Sequence, residues 1–353
     1  MQMVTGLVMD MGLNRPPPKD PDIPGAQFIR TGTGSCRPWV SLARTMDERR
    51  AVLGCFLICS SLAHILGRTD SMRWTPHMKE CLDVLEDARQ VPSDAVLAQL
   101  VRAQLVVENV MKELGQDCEA VGDRDHRRAP LSFYLKGLQS QLDEGQSRTP
   151  DLSQNNTVLL HQYHAETTIY ETAMAKTPQA HDELDLTRLD YLYACLNAIR
   201  KRCDLLLTLT PSALAHIPSP TLLASAHSLA TLLRLSTFEY PGWDTVAVRQ
   251  TADVLSITQQ LADKFAQVAD TVGIVNPDDG ETIDCFTTSS RILSGLRAGW
   301  ASKVPPVETP GLGPENTNDP ALPEFDQELV DNWLSSQDLA WLADFAPFGS
   351  VVC

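Results

Sequence analysis

Four side chains that can bind a metal or act as nucleophiles occur in the stretch ERRAVLGCFLICSSLAHILGRTDSMRWTPHMKECL, residues 48–82. They are Cys55, Cys59, His64 and Cys81. Converging thiolates and imidazoles can hold zinc, and a thiol of lowered pKa can attack an electrophile. The same residue types also serve as ordinary packing in a helical core. Each alternative implies a different kind of protein.

The spacing of these cysteines favours core packing. Cys55 and Cys59 are four residues apart, so on a helix they share one face. That face also carries the apolar side chains Val52, Phe56 and Ala63. Structural zinc sites commonly use C-x2-C pairs, and this spacing occurs nowhere in the chain. We therefore interpret both cysteines as small apolar residues on a buried helix and expect no metal among these ligands.

A second candidate is the H-x2-H-x-E pattern of His161, His164 and Glu166. Histidines three residues apart on a helix lie about 60 degrees apart, on one side. Two ligands on one turn are only weak evidence for a metal site. We favour the interpretation that both histidines are structural and partly exposed. With Tyr163, these residues are also the polar candidates if the helices enclose an apolar metabolite.

Motifs for nucleotide binding and hydrolysis are incomplete. The segment TGTGSC at 31–36 has Gly32 and Gly34, but it lacks a third glycine, a preceding strand and the lysine of a P-loop. Neither G-x-S-x-G nor H-E-x-x-H occurs in the chain. The sequence therefore predicts a protein that is not an enzyme, without cofactor or catalytic residues.

Composition argues against membrane and nucleic-acid partners. The 353 residues are 43% hydrophobic and 21% charged, and the longest apolar run, 51–63, is too short to span a bilayer. The N-terminal residues carry no basic region typical of a secretory signal, and nine cysteines, an odd count, favour reduced thiols inside a cell. A net charge of −16 opposes binding to a phosphate backbone.

The elements that position these residues are helices almost throughout, because apolar residues recur at intervals of three and four. Thr45 and Glu48 form a capping box before one helix, and Thr75 with Pro76 begins another. Helices are expected over roughly 46–67, 93–114, 130–143, 154–175, 184–208, 219–237, 245–270 and 284–302.

The charge pattern changes after Lys303. No Lys or Arg follows it, whereas nine Asp and Glu residues do, behind a stretch rich in Pro, Gly and Asn. We therefore predict an all-α fold, an irregular multi-helix bundle with a disordered acidic C-terminal tail. The expected parts are a helical domain at 1–303, a flexible linker at 304–323 and an acidic aromatic segment at 324–353.

The segment FDQELVDNWLSSQDLAWLADF, residues 325–345, interleaves acidic with large apolar side chains. This pattern is typical of activation segments that fold into an amphipathic helix on a partner. The alternative is a helix that packs back on its own domain as a lid, and the residues leave this choice open. The candidate partner contacts are Phe325, Leu329, Trp333, Leu334, Trp341, Leu342 and Phe345.

Several segments, in order, resemble the fungal-specific transcription factor domain. This domain is the regulatory region behind the DNA-binding module of binuclear zinc-cluster regulators. The resemblance is carried by VTGLVMDMGLNRPP (4–17), RTMDERRAVLGCFLICSSLAHILGRTDSMRWTPHMKECLDVLE (44–86) and SDAVLAQLVRAQLVVE (93–108). It continues through PLSFYLKGLQSQL, LLHQYHAETTIYETA, LDYLYACLNAIRKRCDLLLTL and WDTVAVRQTADVLSITQQLADKFAQV.

The resemblance implies a nuclear regulator of a fungal pathway such as a biosynthetic gene cluster. Such a domain would sense a small effector or form a homodimer, while the acidic segment recruits transcription machinery or another regulator. The residues include no six-cysteine zinc cluster, so we expect no sequence-specific DNA contact from them. Either that module lies upstream of Met1 or it has been lost. In the second case the alternative is a scaffold repurposed to bind or convert an apolar metabolite.

Overall fold

The computed structural model of the chain describes residues 2–17, 44–65, 72–119, 131–174, 185–272 and 285–304. Within these ranges the regular structure is helical and no strand occurs, so the all-α prediction is confirmed. No described helix is both long and apolar enough to span a bilayer. The helices are α1 (Gln2–Asp10), α2 (Met46–Ile65), α3 (Pro76–Ala88), α4 (Pro92–Glu119), α5 (Leu131–Arg148), α6 (Asn156–Glu171), α7 (Leu186–Thr208), α8 (Pro211–Ala215), α9 (Ser219–Thr237), α10 (Thr245–Thr251), α11 (Val254–Val272) and α12 (Cys285–Ala301).

The two helix starts predicted from capping residues are confirmed. The backbone N–H of Thr45 donates to Glu48 Oε2 at 2.8 Å, and the N–H of Glu48 donates back to Thr45 Oγ1 at 3.2 Å. At the start of α3, Thr75 Oγ1 accepts from the N–H of Met78 at 3.2 Å. These bonds satisfy N–H groups that have no partner within the helix, and so they define where α2 and α3 begin.

The prediction of one helix over 245–270 is wrong, because the chain forms α10 and α11 there. Ala252 adopts an extended conformation (φ −149, ψ 90) between them. The next residue, Asp253, accepts a hydrogen bond from the N–H of Leu255 at 3.1 Å through its side chain. A short carboxylate competes in this way with the helical hydrogen bonds and starts a new helix. The short helices α1 and α8 are absent from the expected list as well.

The structure divides into two compact units, and the first comprises residues 1–108 and 142–153. Its core lies where α2 packs on α1 and α3. Cys59 and Cys81 are fully buried in this core, and Cys55 packs at its edge. The interpretation of Cys55 and Cys59 as packing residues is therefore confirmed. The core comprises Val8, Leu13, Val52, Leu53, Phe56, Cys59, Met72, Met78, Cys81, Leu82, Leu85, Ala98 and Val101.

The second unit comprises residues 109–141 and 154–353, of which the described part includes α6 to α12. Its core contains side chains from all seven of these helices, and α6 packs on both α7 and α9. Trp243 is buried and donates its indole N–H to the Leu235 carbonyl at 3.0 Å. Arg202 of α7 is fully buried too, and its guanidinium donates to the carbonyls of Leu160 in α6 and Thr221 in α9. One side chain thus links three helices.

In the first unit, a buried carboxylate links α2 to α4. Asp94 is 1% exposed, and its two oxygens accept from Arg50 Nε at 2.7 Å and Arg50 Nη2 at 3.1 Å. Asp94 Oδ2 also accepts from the N–H of Val91 at 3.1 Å. The hydrogen bond from Arg50 holds the pKa of Asp94 below its ordinary value.

We expect Asp94→Asn to lower the thermal midpoint at neutral pH, because it removes the charge of a bidentate pair. The lowered pKa means that Asp94 stabilises the fold above its ordinary pKa of about 4, and that this stabilisation is lost as pH falls through the lowered value. The difference between the wild-type and variant midpoints, measured by circular dichroism from pH 7 to pH 2, should therefore shrink in acid.

The matched control for this experiment is Asp47→Asn. Asp47 contacts the same arginine at 2.6 Å, but its side chain is 91% exposed, so water screens the interaction. We expect the Asp47 variant to melt close to the wild type at every pH. Equal losses from the two variants would show that burial of Asp94 does not strengthen its contact with Arg50.

Candidate functional site

The second unit contains a cluster of polar side chains where α6 packs on α9. The rings of His164 and His227 meet edge to face, with their centres 5.3 Å apart. Glu171 Oε2 lies 3.1 Å from His227 Nε2 and accepts a hydrogen bond from Thr231 Oγ1 at 3.0 Å. His227 and Thr231 are one turn apart on α9, so both address the same carboxylate. We call His164, Glu171, His227 and Thr231 the α6–α9 polar cluster.

Of the residues singled out in the sequence, four lie on α6: His161, Tyr163, His164 and Glu166. The expectation that the two histidines are partly exposed is wrong, since His161 is 4% and His164 2% exposed. The contacts of Tyr163 and His164 also differ. His164 faces α9, whereas the Tyr163 ring lies 5.8 Å from Lys201 Nζ of α7. They do not form a single catalytic constellation.

Three members of the cluster, Glu171, His227 and Thr231, were missed by the sequence analysis. His227 is distant in the chain from the H-x2-H pattern, and Glu171 follows it by more than one helical turn. No local pattern links either residue to His164, because their proximity depends on how α9 packs on α6. The one available signal was the apolar periodicity of α9, which places His227 near the buried side of that helix.

Four of the described thiols are not poised for nucleophilic chemistry. Burial raises the pKa of Cys203 to about 12 and raises that of Cys195 well above its ordinary value. Burial also raises the pKa of Cys55 and of Cys81, although Arg49 lies next to Cys81. A reactive cysteine needs a lowered pKa, because the thiolate is the nucleophile. At neutral pH these four side chains are therefore protonated packing groups.

A pocket of about 190 Å³ lies between α7 and α10 in the second unit. The buried side chains of Leu196 and Val248 contribute to its wall, and the Tyr193 ring lies 4.8 Å from the ring of Trp243. Pockets for drug-sized ligands usually measure about 300 to 1,000 Å³. This one suits a small molecule or a single aromatic side chain. Its lining residues are Tyr193, Leu196, Asn197, Arg200, Ala247, Val248 and Thr251.

The seven residues predicted as partner contacts, Phe325, Leu329, Trp333, Leu334, Trp341, Leu342 and Phe345, lie outside the described residues. So do the expected linker at 304–323, except for its first residue, and the expected segment at 324–353. The partner contacts and the domain boundaries therefore stay predictions.

Comparison with known proteins shows which proteins the chain resembles. A family model described as a C-terminal domain matches residues 211–349. Transcription factor opdL from Penicillium oxalicum is 34% identical over 353 residues, which cover 99% of this chain and 61% of the relative. The chain is therefore similar to fungal transcription factors along almost its whole length. The family resemblance stated from the sequence is confirmed.

Other fungal transcription factors match parts of the chain. A transcription factor from Aspergillus terreus is 30% identical over 62% of this chain and 38% of its own length. Transcription factor pbcR from Emericella nidulans is 34% identical over 29% of this chain and 14% of its own length. The chain therefore spans less than two thirds of the length of each of these relatives. No solved structure matches it.

Proposed function

We propose that the chain is a transcriptional regulator of a fungal pathway, such as a biosynthetic gene cluster, and that it acts in the nucleus through protein contacts. The observation that carries this proposal is the relationship to opdL over 99% of the chain. Because the chain covers 61% of that relative, the activity of a whole regulator is itself part of the proposal.

The chemistry of the described residues supports a binding role over catalysis. Burial raises the pKa of Cys195 and of Cys203, and His164 and Tyr163 of α6 contact different helices. Nucleophilic catalysis needs an activated group next to an oriented base, and these residues do not provide that arrangement. The relatives are named as transcription factors, which agrees with the prediction that the protein is not an enzyme.

The pocket between α7 and α10 supports an effector-sensing role for the helical domain. Its wall is mostly apolar, with the amide of Asn197 and the guanidinium of Arg200 among its lining groups. Apolar walls with a few polar groups are typical of small-molecule sites, and the volume of about 190 Å³ favours a small effector over a multi-ring metabolite. The domain would sense this effector or form a homodimer, and thereby control the acidic segment.

The acidic segment at 324–353 is the part that we propose contacts transcription machinery or another regulator. Its tryptophans and leucines supply apolar area for a groove on the partner, and the neighbouring carboxylates keep the free segment in water. Aromatic side chains dominate the binding energy of most interfaces, at about 2 kcal/mol or more for each strong contact. Loss of two such contacts would weaken docking up to about a thousandfold.

The direct test is to fuse residues 304–353 to a heterologous DNA-binding domain and to measure a reporter gene in a fungal host. We expect the fusion to activate the reporter strongly. We expect the double variant Trp333→Ala, Trp341→Ala to lose most of that activity, because both aromatic contacts are removed. The matched control is the double variant Ser335→Ala, Ser336→Ala, which changes two polar residues between the tryptophans and should retain activity.

The result that would contradict the proposal is a reporter at the level of the DNA-binding domain alone. Equal output from wild type and tryptophan variant would show that the aromatics are not the contacts. A fusion of all 353 residues addresses the lid alternative. If the full chain is silent where the segment alone is active, the helical domain restrains the segment, and an effector that occupies the pocket should restore activity.

A further inference from the structure

The pocket between α7 and α10 combines an apolar floor with a cation at its rim. We propose that it binds a small carboxylic acid whose apolar body is about one ring in size, and that Arg200 holds the carboxylate. The inference rests on the proposed effector-sensing role and names the chemical class of the effector. All the lining residues belong to the second unit.

The floor and one wall of the pocket are apolar. Leu196 and Val248 are 5% and 1% exposed, so they close the pocket on its inner side. The Tyr193 ring forms a wall, and its centre lies 4.8 Å from that of Trp243. Trp243 is held in turn by its indole hydrogen bond to the Leu235 carbonyl. A ligand can therefore bury its apolar body against surfaces that are already in place, which reduces the cost of binding.

The polar groups of the pocket come mainly from one face of α7. Tyr193, Asn197 and Arg200 are spaced at i, i+4 and i+7, so they lie in a row along the helix. Asn197 and Arg200 are exposed, and neither has a hydrogen bond or an ion pair with another residue that the structure describes. The amide and the guanidinium can therefore bind a ligand that enters from solvent.

The charge at the rim selects an anion. The seven lining residues, all of them described, include one cation and no carboxylate, although the whole chain has a net charge of −16. A guanidinium presents two parallel N–H groups that match the two oxygens of a carboxylate, and such charged hydrogen bonds are about twice as strong as neutral ones. Asn197, one turn before Arg200, places an amide donor beside the same group.

The volume of the pocket limits the size of the acid. Each molecule of liquid water takes about 30 Å³, so a pocket of about 190 Å³ has room for about six waters. One six-membered ring with a single carboxylate needs a comparable space, whereas a fused-ring metabolite needs more. The site therefore suits a monocarboxylate built on a single ring or on a short aliphatic chain.

The test is a titration of the full chain with benzoate and with benzamide, measured by ligand-detected NMR. The two probes have nearly the same shape, but benzamide carries no charge. We expect benzoate to bind about tenfold more tightly or better, because only its carboxylate pairs with Arg200. Arg200→Met keeps much of the side-chain volume, so it should weaken benzoate binding about tenfold or more and leave benzamide binding within about twofold.

Lys201→Met is the matched control, since Lys201 is the exposed cation next to Arg200 in the chain but does not line the pocket. This variant should bind benzoate like the wild type. Ala247→Phe places a ring inside the pocket and should abolish binding of both probes. Equal affinity of Arg200→Met and the wild type for benzoate would overturn the proposal, and so would equal losses from Arg200→Met and Lys201→Met.

Binding and reporter activity give separate readings. Benzoate binding that depends on Arg200 supports the carboxylate site even if the fusion of residues 304–353 leaves the reporter silent. A fusion that activates the reporter, together with a full chain that binds neither probe, contradicts the carboxylate site alone. Equal binding of benzoate and benzamide by the wild type contradicts it as well, because the pocket would then show no preference for charge.

Discussion

Arg202→Ala should destabilise the second unit by about 3 kcal/mol or more, since it removes a fully buried side chain and leaves a cavity. The guanidinium donates to the carbonyls of Leu160 and Thr221, and it reaches the Ser225 hydroxyl at 3.4 Å. The variant therefore loses packing and the hydrogen bonds that link α6, α7 and α9. The free energy of unfolding of the second unit, from hydrogen exchange of these three helices, measures the effect.

The variant Arg202→Met distinguishes the effect of side-chain volume from the effect of charge at this position. Burial lowers the pKa of Arg202 from 12.5 to about 10, which corresponds to a cost of about 3 kcal/mol for holding the charge in the core. Hydrogen bonds from a charged donor contribute about 1.5 to 3 kcal/mol each and offset this cost. Methionine fills most of the same space, but it carries no charge and donates no hydrogen bond. We therefore expect Arg202→Met to stay within about 1 kcal/mol of the wild type.

The pH dependence of this pair of variants has a defined sign. Because the folded-state pKa of Arg202 lies below the unfolded-state value, the penalty is fully present at neutral pH and is relieved as pH rises through about 10. The wild type should therefore gain stability relative to Arg202→Met in strongly basic solution. Equal destabilisation by alanine and methionine at pH 7 would contradict the argument, since it would mean that hydrogen bonds, and not volume, hold the three helices together.

The starts of α2 and α3 in the first unit could be predicted because their signals are local. The Thr45–Glu48 box and the Thr75–Pro76 start are hydrogen-bond patterns within four residues, and they act in the same way in any fold. The break between α10 and α11 depends on a choice at Asp253, which can continue a helix or cap a new one. Apolar periodicity runs through both helices and gives no sign of that choice.

The candidate site could be predicted only in part, because its contacts join residues that are far apart in the chain. The sequence shows that His161 and His164 share a side of α6, but the approach of His227 and Glu171 results from packing between α6 and α9. The burial of His161 and His164 was also misjudged, because histidine is more often exposed than apolar residues of similar size. Arg202, which the sequence analysis did not single out, is buried with carbonyl partners on α6 and α9. Contacts between residues that are distant in the chain leave no recognisable pattern in a single sequence.

Phe56→Ala should destabilise the first unit by about 3 to 5 kcal/mol, the usual cost of removing a fully buried aromatic ring. Phe56 lies on α2 between Cys55 and Cys59, on the face that the sequence analysis assigned to the core. Its ring centre is 4.7 Å from that of Trp74, in a tilted arrangement that adds to the apolar burial. Deletion of the ring leaves Trp74 without this contact and leaves a cavity between α2 and its neighbours.

The measurement is the free energy of unfolding from hydrogen exchange of α2 and α3, with Phe56→Leu and Ile58→Ala as companions. Leucine restores most of the apolar volume, so it should recover more than half of the loss. Ile58 is 49% exposed on the same helix, and alanine has the higher helix propensity, so this variant should change stability by about 1 kcal/mol or less. Similar losses at positions 56 and 58 would contradict the assignment of the buried face of α2, and with it the interpretation of Cys55 and Cys59 as packing residues.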